Sequence, residues 1–219
     1  QQVALELYRN ISRGPLIIPT FDQYIAVNEL LSDNVNALGA SGDLLSQTEF
    51  GRAFTNLLYK GSLHFAPRGD DVTSFVEYMN TTFTSFQTIE HYIHDTEEEA
   101  VDFILNSESD IPALALIVLR QITPEKVNYV IRQNYTTLPN TNQVIEEAVI
   151  GLNEAYQDYF FSGFLTLQSA VDNWAFNYTN AISGPNNPSA PASCTGAPQA
   201  TFVPYPTPEY NQNPFYNQV

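Results

Sequence analysis

The sequence predicts an α+β fold in which a small mixed β-sheet of about four strands packs with helices. Three observations predict it. Strand-like and helix-like apolar patterns interchange between residues 61 and 136, and a long amphipathic helix and a proline-rich extended arm follow. Apolar residues make up 43% of the 219-residue chain, which is enough for a core of its own.

Residues 1–60 are predicted to be a lead-in followed by helices. Gly14-Pro15 and Ile18-Pro19 favour an extended start. Apolar residues at helical spacing then predict a helix over residues 21–31, with Thr20 as its cap, and a second helix over residues 48–60.

Residues 61–183 are predicted to form the α/β core. Short apolar or alternating runs predict strands at residues 63–66, 86–93, 112–119 and 126–136. The link at residues 121–124 is too short for a parallel crossover, so the last two strands are expected to be antiparallel.

Two helices are predicted between these strands. The first covers residues 70–80 and should bury Val72, Phe75, Val76 and Met79. The second begins at Thr96, with acidic residues in its first turn, where the helix dipole favours them. Its predicted inward residues are Ala100, Val101, Phe103, Ile104 and Leu105.

A single long helix is predicted over residues 144–178, and residues 184–219 are predicted to be a proline-rich arm without regular structure through residue 208. Gly163 within the helix predicts close packing against the sheet. The helix carries an aromatic and aliphatic stripe, which either packs in a core or contacts a hydrophobic substrate. Its members include Tyr156, Tyr159, Phe160, Phe164, Leu167 and Trp174.

The charge balance narrows the classes of partner. Lys and Arg total 8 against 24 acidic residues, a net charge of −16, which opposes binding to nucleic acid or to anionic lipid headgroups. The longest apolar run, residues 111–119, is shorter than the ~20 residues that cross a bilayer. The start at Gln1, without a signal-peptide pattern, suggests a processed terminus or a piece of a larger protein.

Four Asn-x-Ser/Thr sequons predict an extracellular or lumenal location with N-linked glycans. Their asparagines are Asn10, Asn80, Asn134 and Asn177. Cys194 is the only cysteine, so no disulfide can form within the chain.

Several segments, in a fixed order, carry a family resemblance. They are Leu-His-Phe-Ala-Pro at residues 63–67, the alternating run through Asn-Tyr-Thr to Pro-Asn at 126–141, Ser-Gly-Phe-Leu-x-Leu-Gln-x-x-Val-Asp at 162–172, and Pro-Glu-Tyr-x-x-Asn-Pro-Phe at 208–215. Together they resemble the loop between the first two membrane spans of subfamily A ABC transporters, the lipid exporters. Residues 88–119 also resemble the inter-span domain of ABC-2 type exporters, and residues 126–141 resemble oomycete members in particular.

The resemblance implies a non-enzymatic extracellular domain that covers or extends the path of a lipid or other hydrophobic substrate, or binds partners. Its partners would be the parent transporter's membrane spans, with lipid and a second copy of the chain as further candidates. It implies no catalytic residue, metal or cofactor in this chain. ATP and Mg²⁺ would act in the parent's ATPase domains, because Gly-x-x-x-x-Gly-Lys-Ser/Thr is absent here. The expected location is the outer face of the plasma membrane or an organelle lumen.

Two alternatives stay open. One is a free-standing secreted glycoprotein that acts as a structural, assembly or binding module. The other is a secreted hydrolase, which needs His64, His91 or His94 beside a hydroxyl nucleophile. The spacing His91-x-x-His94 also resembles that of metal ligands. On a strand, however, these two side chains point to opposite faces, so a solvated strand end is expected instead. Ser162 is expected in mid-helix, which disfavours it as a nucleophile.

Overall fold

The computed structural model describes residues 16–27, 29, 61–106, 111–134, 138, 158–183 and 201–202, and these residues have the α+β fold predicted. Several predictions lie outside the described residues. They are the helix over residues 48–60, residues 144–157 of the long helix, most of the proline-rich arm, and Asn10, Tyr156 and Cys194.

The strands and helices from Ser62 to Arg132 follow the predicted order, with a 3₁₀-helix in place of the first half of one predicted strand. The described elements are β1 (Leu16–Ile17), α1 (residues 21–27), β2 (Ser62–Ala66), α2 (Asp70–Thr82), a 3₁₀-helix (Thr84–Thr88), β3 (His91–Ile93), α3 (Glu97–Asn106), β4 (Ala113–Thr123), β5 (Lys126–Arg132), α4 (Asp158–Phe161), α5 (Phe164–Ser183) and β6 (Thr201–Phe202).

Four of the described strands form one mixed sheet in the order β3-β2-β4-β5. Strand β2 runs parallel to both of its neighbours, and β5 pairs with β4 in the antiparallel sense predicted from their short link. The last strand ends at Arg132, four residues before its predicted end at residue 136.

The helices α2 and α3 lie on opposite faces of this sheet, and the strand order explains why. The crossover from β2 to β3 moves one way along the sheet, and the crossover from β3 to β4 moves back past β2. Because such crossovers are right-handed, reversing direction places the connecting helix on the other face. Accordingly, α2 packs with Phe65 and Ile117, whereas α3 packs with Leu116 and Val118.

The larger core lies on the α2 face. Helix α2 buries the four residues predicted from its spacing, Val72, Phe75, Val76 and Met79. Helices α1 and α5 add Phe21, Tyr24, Ile25, Leu167, Val171 and Trp174 to the same core. The predicted division at residue 60 stays a prediction, but α1 shares its core with the sheet.

The core on the α3 face is smaller. In the described part of the chain its buried apolar residues are Ala66, Ala100, Leu116 and Val118. The prediction that Leu105 faces inward is wrong, because its side chain is 75% exposed, whereas Phe103 is 41% exposed and packs against ring side chains of the sheet. The side of α3 that faces the sheet carries Ala100, Val101 and Ile104, and Leu105 is rotated about 100° away from Ile104.

The predicted strand over residues 86–93 is also wrong in its first half. Residues Thr84–Thr88 form the 3₁₀-helix, and only His91–Ile93 pair as a strand. The Asp22 carboxylate on α1 accepts hydrogen bonds from the backbone N–H groups of Ser85 (2.8 Å) and Thr84 (3.3 Å). These bonds satisfy N–H groups that the first turn of a helix leaves without partners.

The long helix is not continuous. Residues Ser162 and Gly163 separate α4 from α5, which ends at Ser183. Gly163 has φ = +77°, and a Cβ there would lie 2.6 Å from Cζ of Tyr24. The predicted close packing is therefore present, but it is made against α1 at a break rather than against the sheet.

The two ends of the described chain meet in a second small sheet. Strands β1 and β6 pair in antiparallel fashion, with Leu16 opposite Phe202 and Ile17 opposite Thr201. The prediction that residues 184–208 form no regular structure is wrong at these two positions. Leu16–Ile17, in the predicted lead-in, pair with these two residues, so the strand in the arm depends on a partner that is distant in the sequence.

Candidate functional site

The carboxyl ends of β2 and β3 form the place where the topology favours a site. These adjacent parallel strands lead into helices on opposite faces, and ligands of open α/β sheets bind at such points. In this structure the side chain of Arg68 lies at the carboxyl ends of β2 and β3. Its Nε lies 2.5 Å from Oδ1 of Asp95, and its Nη2 donates to the carbonyl of Ile93 at 2.7 Å.

Directly beneath this edge, on the α3 face, lies a hydrogen-bonded group that we call the histidine cluster, formed by Ser62, His64 and His94. Oγ of Ser62 lies 3.0 Å from Nε2 of His64, and Nδ1 of His64 lies 3.0 Å from Nε2 of His94. The three residues are 4%, 2% and 5% exposed, so the chain of hydrogen bonds is buried.

Strand periodicity and register bring the histidine cluster together. Ser62 and His64 are two residues apart on β2 and therefore share one face. The parallel pairing places His64 opposite Tyr92, so His94, two residues beyond Tyr92, points to the same side. The cluster is thus fixed by two neighbouring strands.

Aromatic rings enclose the histidine cluster. The His64 ring stacks on Tyr92 (centroids 5.2 Å apart) and on His94 (5.3 Å). Phe103 on α3 lies over both histidines, at 5.7 Å from His64 and 5.2 Å from His94. This position explains why Phe103 is only partly exposed although it does not face the small apolar core.

His91 lies on the other side of the sheet. Its ring stacks on Phe86 at 4.8 Å and meets Phe65 edge-on at 6.4 Å. The prediction of opposite faces for His91 and His94 is confirmed, but the prediction of a solvated strand end is wrong for His94. Within the described residues, no group of three or more His, Cys, Asp or Glu side chains has the arrangement of a metal site.

The buried environment favours the neutral form of both histidines. Burial, and then the neighbouring His94, lower the pKa of His64 from its ordinary 6.5 to about 4. Burial also lowers the pKa of His94, and the Arg68 cation acts in the same direction. The carboxylates of Glu99 and Asp95 oppose this shift without reversing it.

The histidine cluster has the order of groups found in serine hydrolases, but not their access. A hydroxyl contacts one imidazole, whose other nitrogen contacts a second imidazole, which corresponds to a nucleophile, a base and an orienting group. However, Ser62 is buried, and a pKa of about 4 makes His64 a weak base near neutral pH.

The predicted stripe on the long helix serves packing where it is described. Phe160, Leu167 and Trp174 are buried in the larger core, and Nε1 of Trp174 donates to Oγ of Ser74 at 3.2 Å. Tyr159 and Phe164 are half-buried and contact one another, with ring centroids 5.4 Å apart.

Ser162 does not lie in mid-helix as predicted. It is buried at the break, where its Oγ accepts the N–H of Phe164 at 3.3 Å and so caps the first turn of α5.

The three described sequons lie at different parts of the surface. Asn134 follows β5 and Asn177 lies on α5, and both are exposed. Asn80, near the end of α2, is half-buried, and its backbone carbonyl accepts a hydrogen bond from Gln87 at 3.3 Å. Asn177 is next to residue 178, the predicted end of the long helix, but α5 continues to Ser183.

Neither a protein-family model nor a curated protein matches the chain. Among the described helices, none has both the length and the apolar character needed to span a bilayer. The sequence reasoning named His64 and His94 but missed Ser62 and the contact between the two rings. The Ser-x-His spacing on one strand is a signal for the first contact, whereas the second depends on strand register.

Proposed function

We propose that this chain is a non-enzymatic extracellular or lumenal domain of a lipid-type ABC exporter, which covers or extends the substrate path or binds a partner. The observation that supports this most is the pairing of β1 with β6. A domain inserted between two membrane spans must send both ends of its chain to the same membrane face, and antiparallel pairing of β1 with β6 brings the entering and leaving segments side by side. The chain enters β1 beside the point at which it leaves β6.

The attachment of this pair to the body supports a role in transmitting movement. Residues 18–20 join β1 to α1, and α1 buries Phe21, Tyr24 and Ile25 in the larger core. The side chains of Thr20 and Gln23 cap the start of α1 reciprocally, at 3.3 and 2.9 Å. A displacement of β1 would therefore pull on α1, which is part of the larger core.

The surface is consistent with this location. Asn134 and Asn177 are exposed, and a glycan at either position would extend into solvent without displacing core side chains. Deglycosidase treatment of native material is expected to lower its mass. An unchanged mass would remove this support for an extracellular or lumenal setting.

The parent reading frame tests the proposal directly. We expect apolar segments of ~20 residues shortly before and after this domain. A frame that encodes only polar sequence and then stops would instead favour the free-standing secreted glycoprotein.

The pairing that supports the proposal has its own test. In a Cys194→Ser background, Ile17→Cys with Thr201→Cys is expected to form an intramolecular disulfide, because these residues face each other across the pair. The single Ile17→Cys variant is the control. If the double variant crosslinks no better than the control, the chain does not enter and leave at one place.

A secreted hydrolase is the second candidate, and the contact between Ser62 and His64 favours it. In that reaction, Oγ of Ser62 would add to an acyl carbonyl carbon while its proton passed to Nε2 of His64. The test is labelling of the full chain by a fluorophosphonate, with Ser62→Ala and Ser162→Ala variants as comparisons. Labelling that only Ser62→Ala abolishes would establish the hydrolase, and no labelling would dismiss it.

A further inference from the structure

We propose that α3 is an acid-released element: protonation of the histidine cluster detaches Glu97–Asn106 from the sheet while the larger core on the opposite face stays folded. The inference concerns the regulation of this domain. It rests on the cluster and its cover, and it holds whether or not the domain belongs to a transporter.

The rings of His64 and His94 can form their mutual hydrogen bond only when one nitrogen donates and the other accepts. The 3.0 Å contact between Nδ1 of His64 and Nε2 of His94 needs one N–H and one bare nitrogen. In the neutral pair this is satisfied, and Ser62 can serve the remaining nitrogen of His64. A first added proton places a buried charge between strands and helix, and a second sets two N–H groups against each other.

Polar, charged and apolar groups from several elements face the histidine cluster. Strand β3 presents the Tyr92 ring, whose hydroxyl donates to Glu90, and β4 presents the apolar Leu116 beside His64. The loops after β2 and β3 present Arg68 and Asp95, which pair with each other.

Helix α3 presents Glu99, whose Oε2 accepts the backbone N–H of Asp95 at 3.0 Å. The two carboxylates near His94 are therefore engaged, Asp95 by Arg68 and Glu99 by the backbone. They do not reverse the effect of burial, because the pKa of His94 stays below its ordinary value.

The other contacts that hold α3 on the sheet are weak. Among the described residues, the apolar side chains of α3 pack in the small core around Ala100, and Phe103 rests on the histidine rings and on Tyr92. Within the described part of the chain, the ion pairs of α3 are those of Glu97 with Arg120 (3.2 Å) and Arg132. Burial alone would raise the pKa of Glu97, but the two arginines hold it below its ordinary value, so these ion pairs persist in mild acid. They oppose the release only weakly, because both arginines are half exposed and ion pairs near the surface contribute little.

The direction of the pH effect follows from linkage. The folded pKa of His64, about 4, lies below its ordinary 6.5, so the open form binds protons first. The stabilisation is present above the ordinary value and is lost as the pH falls toward the folded value. For His64 alone, lowering the pH from about 7 to about 5 favours the open form by roughly 20-fold.

The test is hydrogen exchange of the full chain, followed by mass spectrometry, at neutral and mildly acidic pH and corrected for intrinsic exchange rates. We expect amides of α3 to lose roughly 20-fold in protection on acidification, while those of α2 and α5 change little. The variant His64→Gln with His94→Gln should lose this dependence. The matched control His91→Gln, on the other face, should keep it.

Three results would overturn the inference. They are equal protection of α3 at both pH values, an equal loss in α2, α3 and α5, and an unchanged pH dependence in the double variant. If the double variant does not fold, the ring signals of the wild-type histidines decide. Titration of His64 and His94 near the ordinary value, with α3 still protected, would refute the release. Midpoints well below that value, coinciding with loss of α3 protection, would support it.

Discussion

Replacing Gly163 by alanine tests the account of the break between α4 and α5. Gly163 adopts φ = +77°, a conformation in which a Cβ is strained. The added Cβ would also lie 2.6 Å from Cζ and 2.9 Å from Oη of Tyr24. Tyr24 is buried in the larger core and donates a long hydrogen bond to the carbonyl of Phe161 at 3.4 Å, so its ring has little room to move.

The expected cost has two parts. The left-handed backbone costs an alanine about 1–2 kcal/mol relative to glycine. Overpacking against the Tyr24 ring adds about 1–3 kcal/mol, because a packed core yields only by shifting side chains or backbone. We therefore expect Gly163→Ala to lower the free energy of unfolding by about 2–5 kcal/mol.

Urea unfolding of the full chain, followed by tryptophan fluorescence, measures this cost, since Trp174 lies in the same core. Gly69→Ala is the matched control, because nothing lies within 4 Å of its added Cβ and its backbone is extended. The control is expected to cost less than about 1 kcal/mol, as glycine caps a helix somewhat better than alanine.

A double-mutant cycle separates the two parts of the cost. In a Tyr24→Leu background the ring atoms that meet the new Cβ are absent. There the cost of Gly163→Ala should fall to the backbone part, about 1–2 kcal/mol. If Gly163→Ala is no more costly than Gly69→Ala, the reasoning about the break is wrong. An undiminished cost with Tyr24→Leu would refute the steric part.

Three further predictions concern polar contacts. Asp22→Ala should lower the free energy of unfolding by about 1–2 kcal/mol, because the N–H of Ser85 loses its carboxylate acceptor; urea unfolding checks this. Burial, and then the hydrogen bond to Asp172 (2.6 Å), raise the pKa of Tyr129. The free energy of unfolding should therefore fall as the pH rises above the ordinary ~10. Urea midpoints measured against pH should show this loss in the wild type and not in a Tyr129→Phe variant. Glu97→Gln should cost at most about 1 kcal/mol at neutral pH, since its ion pairs lie near the surface, and a larger loss in urea unfolding would contradict that assignment.

Local patterns in the sequence were sufficient wherever a contact is made within a few residues. The inward face of α2 follows from the spacing of Val72, Phe75, Val76 and Met79. The cap at Thr20 involves Gln23, three residues away, and the antiparallel pairing of β4 with β5 follows from a short link. In each case the sequence window contains both partners.

The features that the sequence did not predict depend on distant partners. The 3₁₀-helix at Thr84–Thr88 is held by Asp22 on α1, and the break at Gly163 accommodates Tyr24. The burial of His94 requires both its register against β2 and the cover that Phe103 provides. No local pattern encodes these pairings. Periodicity therefore predicted a strand that begins too early, one continuous helix in place of α4 and α5, and a solvent-exposed His94.

The two faces of the sheet divide stability from acid sensitivity. On one face, Phe65, Phe75 and Trp174 interlock in a continuous aromatic core that also holds α1. On the other, α3 rests on a small apolar group and on a polar cluster whose neutral form favours closure. Damage to the first face should therefore unfold the described domain as a whole, whereas protonation on the second should free a single helix. If the β1–β6 pair is fixed at a membrane, as proposed above, the domain would change the surface that it presents in acid without losing its attachment.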